Sequence, residues 1–141
     1  MTGVQTCALP ISQTSQIYEK IGMAYNKLGQ SDVAIRSLQK SLQQNPMNPS
    51  AHYQIALAYA MSGKTAVALN ALGESLKSCA TPNDLRRYVM QAKTDTELEA
   101  VRDLPTFRTL VAQYSDRVAL DRKSTRLNSS HLRLSRMPSS A

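Results

Sequence analysis

Two cysteines, Cys7 and Cys79, are all that the 141 residues hold, which excludes a disulfide-dense secreted scaffold and a cysteine-based zinc finger. The longest purely apolar run, Ile55 to Met61, is far shorter than the roughly 20 residues that cross a bilayer. No segment alternates apolar and polar residues in the manner of a half-buried strand. A basic stripe interleaved with aromatics, the platform on which single-stranded nucleic acid stacks, is missing too. What is there suffices for a core: hydrophobic residues make up 42% of the chain, so wholesale disorder is excluded.

The formal charge of +7 is unevenly placed. Residues 121–141 carry five of the 17 basic residues (Arg122, Lys123, Arg126, Arg133 and Arg136) and one of the 10 acidic ones. Read as native, this Ser- and Arg-rich tail would be a basic arm for nucleic acid or a membrane surface, or a solvated disordered end. Its sequence points elsewhere. The run DRKSTRLNSSH resembles a sequencing-library adapter translated in one frame, and SRMPSSA resembles its continuation. TGVQTCALPI, near the start, resembles the opposite adapter. We therefore expect residues 1–12 and 121–141 to be foreign, disordered ends outside the fold. The chain would then be a fragment of a longer reading frame, Cys7 would drop out, and the remaining charge of +3 makes a poor case for nucleic acid.

Between these ends the sequence matches itself at a shift of 34. Ile21 falls on Ile55, Ala24 on Ala58, Tyr25 on Tyr59 and Gly29 on Gly63. Val33 falls on Val67, Ala34 on Ala68, Leu38 on Leu72, Ser41 on Ser75 and Leu42 on Leu76. Each period reads as two helices. Ile17, Ile21, Ala24, Tyr25 and Leu28 recur at three- and four-residue spacing, one stripe of an amphipathic helix. Gly29 follows as a helix-ending residue able to take positive φ. Val33, Ala34, Leu38, Ser41 and Leu42 form the stripe of the second helix, which Asn45-Pro46 ends. Gly22 and Ala56, like Ala34 and Ala68, are small residues at equivalent mid-helix positions. Glycine there costs about 1 kcal/mol of helix propensity against alanine, so close approach of the partner helix is the expected reason for it.

A period of 34 built from helix–turn–helix units resembles the tetratricopeptide repeat. The first unit matches at Tyr18, Ile21-Gly22, Tyr25, Gly29, Ala34, Leu38 and Pro46. The second matches at Ile55-Ala56, Tyr59, Gly63, Ala68, Leu72 and Leu76. It departs at His52, where a large aromatic is usual, and at Ala80, where proline is usual. The resemblance implies an all-α solenoid: repeat 1 over 13–48, repeat 2 over 49–82, and a helical C-terminal cap over 83–120. Within the cap, Thr81-Pro82-Asn83-Asp84 sets a cap, a first-turn proline and an acid in order. Thr94 with Glu97 fits a capping box. The run TDTELEAVRDLPTFRTLV is similar to the unit that closes many bacterial arrays of this family, with Arg102, Pro105 and Phe107 at its Arg-x-x-Pro-x-Phe turn.

Catalytic chemistry finds little to work with. Between the two ends there is one histidine, His52, and one cysteine, Cys79, on different predicted helices. His52 occupies the aromatic packing position of the repeat, and Cys79 the small half-buried position near a helix end. AYAMSGKT (58–65) ends like a phosphate-binding loop, but that loop needs glycine where Ala58 stands and a strand before it. Arg86, Arg87, Glu97 and Glu99 read as solvated. No catalytic residue, metal site, cofactor or small-molecule substrate is expected.

The family resemblance places a partner groove on the first helix of each repeat: Gln16, Glu19, Met23, Asn26 and Lys27, then Ser50, Tyr53, Leu57, Ala60 and Met61. Repeats that grip a C-terminal carboxylate carry Lys and Asn on these faces. Here those positions hold Glu19 and Met23, which disfavours such a ligand, while Tyr53, Leu57 and Met61 suit an apolar segment. The implied role is a non-catalytic protein-interaction module for a peptide or helix of a partner protein, without nucleic acid or a membrane span. The alternative is the interaction segment of a larger enzyme or regulator whose active domain lies outside this chain. A lone thiol fits the cytoplasm without fixing the compartment.

Overall fold

In the computed structural model, the backbone is described for residues 11–136 and the side chains for residues 13–120. The elements, in order, are α1 (Ile11–Lys27), α2 (Ser31–Gln44), α3 (Pro49–Met61), α4 (Thr65–Ser78), α5 (Pro82–Thr94), a 3₁₀ turn (Thr96–Leu98), α6 (Glu99–Arg102) and α7 (Pro105–Arg136). No strand occurs among the described residues. Of the expected foreign ends, 1–10 and 137–141 lie outside the described residues, and the backbone of α7 runs past Leu120 to Arg136 without a helix end.

The architecture is an α-solenoid of two hairpins and a cap. α1 packs on α2, α3 packs on α4, and α2 joins the hairpins by packing on α3. The 34-residue register holds at the level of single backbone hydrogen bonds. Gly29 and Gly63 take φ of 77° and 79°, the positive values that end a helix in the left-handed conformation. The Gln30 and Lys64 amides each reach back 2.9 Å to the carbonyls of Tyr25 and Tyr59. Each turn thereby closes the last carbonyls of its first helix and launches the second.

Small residues let the helices of a hairpin meet. Ala34 and Ala68 are fully buried, as are the equivalent leucines Leu38 and Leu72. A Cβ built on Gly22 would stand 2.4 Å from Leu38 Cγ, so α1 and α2 approach more closely than any side chain at 22 permits. The buried serines repeat as well. Ser41 Oγ donates to the Ser15 carbonyl at 2.8 Å, and Ser75 Oγ donates to the Pro49 carbonyl at 2.8 Å. Each ties its second helix to the start of the first. In the first hairpin Ser15 Oγ answers with a bond to the Ser41 carbonyl at 3.0 Å.

The cap departs from the period. Thr81 forms the expected N-cap of α5: its Oγ1 accepts from the Asp84 amide at 3.1 Å and donates to the Asp84 carboxylate at 2.8 Å, with Pro82 opening the helix. The capping box expected at Thr94 and Glu97 does not form. α5 continues through Thr94, whose hydroxyl turns back to the Met90 carbonyl at 3.0 Å, and Asp95 stands at the N-cap position of the 3₁₀ turn without a side-chain capping bond. The 3₁₀ turn and α6 lie against α3, α5 against α4, and α7 against α5 and α4. Leu98, Val101, Phe107 and Val111 carry the core across this junction. Arg102 Nη2 donates to the backbone carbonyl of Asp95, placing a cation at the C-terminus of α5, where the helix dipole favours it.

Candidate interaction surface

The ten residues expected to line a groove divide sharply. Gln16, Lys27 and Met61 are exposed; Glu19, Met23 and Ser50 are half-buried. Asn26, Tyr53, Leu57 and Ala60 are buried and offer no surface to a partner, which corrects their expected place in an open groove.

The reasons are local contacts that the 34-residue period does not encode. Tyr53 lies under the cap. Its ring meets that of Tyr88 on α5 at a centroid distance of 5.4 Å, tilted by 47°, and its hydroxyl donates to the Asp95 carboxylate at 2.6 Å. Burial pushes the phenol far above its ordinary range, and the hydrogen bond and charge of Asp95 push it further. Asn26 reaches across to α3, where its Nδ2 donates to the Gln54 carbonyl at 2.9 Å and to Gln54 Oε1 at 3.0 Å. These two residues therefore bind the helices to one another.

Glu19 is half-buried yet already engaged. Its carboxylate accepts from Asn48 Nδ2 at 2.7 Å and from Ser50 Oγ at 2.5 Å. Asn48 is the N-cap of α3, its Oδ1 accepting from the Ser50 amide at 3.0 Å. A carboxylate is thus held at the positive end of α3, a favourable placement. It puts negative charge where a carboxylate-gripping surface would need positive charge.

The remaining chemistry-bearing residues take structural positions. His52 Nε2 lies 2.9 Å from the Pro46 carbonyl and so closes the loop between hairpins. Cys79 donates to the Ser75 carbonyl at 3.4 Å, and burial pushes its thiol up to about 11, Asp84 adding to the shift and Arg87 opposing it. Such a thiol is a poor nucleophile at neutral pH. Gly63, in the loop-like run, is the residue that ends α3, and a helix precedes it. Arg87 pairs with Asp84 at 3.1 Å on an exposed face. Among the described residues, no group of three or more His, Cys, Asp or Glu side chains is placed to hold a metal, and no helix is long and apolar enough to cross a membrane.

Residues 22–63, from the middle of α1 through the end of α3, match the family model described as TPR repeat. No curated protein and no solved structure matches the chain. The family match falls on the stretch where the helix-ending glycines and the buried small residues recur in register. Over that stretch the chain is similar to the TPR repeat, whose usual role is that of a protein-interaction scaffold, and two such hairpins stack in an all-helical array.

Proposed function

We propose that the array is a non-catalytic module that holds a peptide or helix of a partner protein along the first helices of its hairpins. The observation that carries this reading is the surviving open part of that face. Met23 and the exposed Met61 supply adaptable apolar contact, and Gln16, Lys27 and Ser50 supply polar contact around it. Asn26 and Tyr53 serve as rigid backing, and Glu19 disfavours a terminal carboxylate as ligand.

A peptide library displayed on phage, panned against the full chain, tests it. Selected sequences should carry apolar anchors. Met23→Glu and Met61→Glu should each weaken their binding by about tenfold or more, whereas Gln39→Glu, an exposed position on α2, should not. Circular dichroism on each variant guards against misfolding. Binding indifferent to both methionine substitutions would refute the groove, and substrate turnover by the purified chain would refute the non-catalytic reading.

A further inference from the structure

α5 and α7 pack against each other and run antiparallel. The start of α5, at Pro82 and Leu85, shares a small cleft with Arg117 and Val118 of α7. Lys93, about two helical turns beyond Leu85, therefore comes beside the first turns of α7. There it lines a second cleft, with Arg102 of α6 and with Phe107, Arg108, Val111 and Ser115 of α7. The volume of this cleft, about 550 Å³, lies within the roughly 300–1,000 Å³ of small-molecule sites. It shares no residue with the α1–α3 face described above.

Its floor is apolar. Phe107 and Val111 are buried, and Ala112 stands open beside them. Its rim sets three cations, Lys93, Arg102 and Arg108, against two carboxylates, Asp103 and Asp116, which leaves one net positive charge. Arg108 and Asp103 pair at 3.8 Å, both largely exposed. Among the described residues Lys93 and Asp116 have no ion-pair partner. Arg102 gives Nη2 to the Asp95 carbonyl, but its Nε is buried without a hydrogen-bond partner. Ser115 Oγ, in the wall of the same cleft, is also buried and unpartnered. Buried polar groups are nearly always satisfied, so two unsatisfied ones along one cleft point to an occupant.

The charges are also ordered along the cleft. The three cations gather where α6 leads into α7, and Asp116 lies about 12 Å further along α7 than Arg108. One negative charge suits the cationic end. A doubly charged phosphate exceeds the net charge of the lining and gains nothing from the apolar floor. We propose that the cleft between α5 and α7 binds a small monocarboxylate with an apolar body. Its carboxylate accepts from Lys93 and from Arg102 Nε, as charge-assisted bonds. The body covers Phe107, Val111 and Ala112. Ser115, two turns beyond Phe107 on α7, meets a hydroxyl at the far end of the body.

Isothermal titration of the full chain with para-hydroxyphenylpropionate tests the proposal. Saturable one-to-one binding is expected, with the neutral amide of the same acid about tenfold weaker or more. Lys93→Gln, at an exposed position, should weaken the acid by about tenfold. Ala112→Phe, also at an exposed position, fills the cleft and should abolish binding. Ser115→Ala should weaken para-hydroxyphenylpropionate but not phenylpropionate. Met23→Glu, on the α1–α3 face, should change nothing. Circular dichroism checks that each variant is folded, and the comparison of acid with amide needs no variant at all. No saturable binding by the full chain overturns the proposal. So does equal affinity for the amide or for inorganic phosphate, or binding that survives both Lys93→Gln and Ala112→Phe. A peptide ending in tyrosine that binds this cleft more tightly than the free acid also overturns it, by making a chain terminus the occupant.

Discussion

Gly22 lies directly against Leu38: a Cβ at 22 would come within 2.7 Å of both Leu38 Cγ and Cδ2, and within 3.2 Å of the Ala34 carbonyl oxygen. The second hairpin accepts Ala56 at the equivalent position. Gly22→Ala gains about 1 kcal/mol of helix propensity, but it overpacks the α1–α2 contact, which typically costs about 1–3 kcal/mol. We expect a net loss of stability in urea unfolding. Leu38→Ala should blunt that loss in a double-mutant cycle, because the clash is with this one side chain.

Ser41 and Ser75 occupy the same repeat position with unequal support. Ser41 shares a reciprocal pair with Ser15, their hydroxyl oxygens 2.9 Å apart, whereas the Ser75 hydroxyl donates to the Pro49 carbonyl. Ser41→Ala removes two contacts, the bond to the Ser15 carbonyl and the hydroxyl–hydroxyl pair, while the Ser15 hydroxyl keeps the Ser41 carbonyl, and should cost about 1–3 kcal/mol. Ser75→Ala should cost about 1 kcal/mol. Equilibrium denaturation of the two variants measures the difference.

Asn48 and Gln30 stand at the N-cap positions of α3 and α2, but only Asn48 caps with its side chain. Asn48→Ala removes that cap together with the bond to Glu19, for an expected loss of about 1–2 kcal/mol. Gln30→Ala should stay within about 0.5 kcal/mol of the parent. Thermal melts of both variants, with Glu19→Gln as a third, separate the cap from the carboxylate.

Alkaline pH should destabilise the fold in two stages. Cys79 has its folded pKa raised from 9.0 to about 11, so its contribution is complete below pH 9 and is lost as pH rises through 11. Tyr53 is raised above its usual 10, so it too binds its proton more tightly when folded, and its contribution begins to fall above pH 10. Melting midpoints between pH 8 and 11.5 check this. Cys79→Ala should flatten the first stage and Tyr53→Phe the second.

The repeat skeleton was legible because it is periodic. Gly29 and Gly63, Ala34 and Ala68, and Ser41 and Ser75 announce themselves by recurring, and each recurrence marks a site where backbone geometry or close packing admits few residue types. The surface was less legible because its decisive contacts do not recur. Tyr53 is buried by Tyr88 and Asp95 from an aperiodic cap, and Glu19 is held by Asn48 and Ser50 across the hairpin junction. The Thr94–Glu97 pattern was misleading for a local reason. Thr94 had a helix carbonyl within reach, and α5 therefore runs through it instead of a new helix starting there.

Asp95 receives the Tyr53 hydroxyl on its carboxylate and Arg102 on its backbone carbonyl, so one residue joins the second hairpin to both halves of the cap. At the outer edge of the α1–α2 hairpin, Ile17, Ile21 and Leu28 face outward. Under tension applied at the two ends, the molecule would not yield evenly. The first hairpin, tied to α3 through Asn26 and Glu19, would come away before the part of the array that the Asp95 clasp closes.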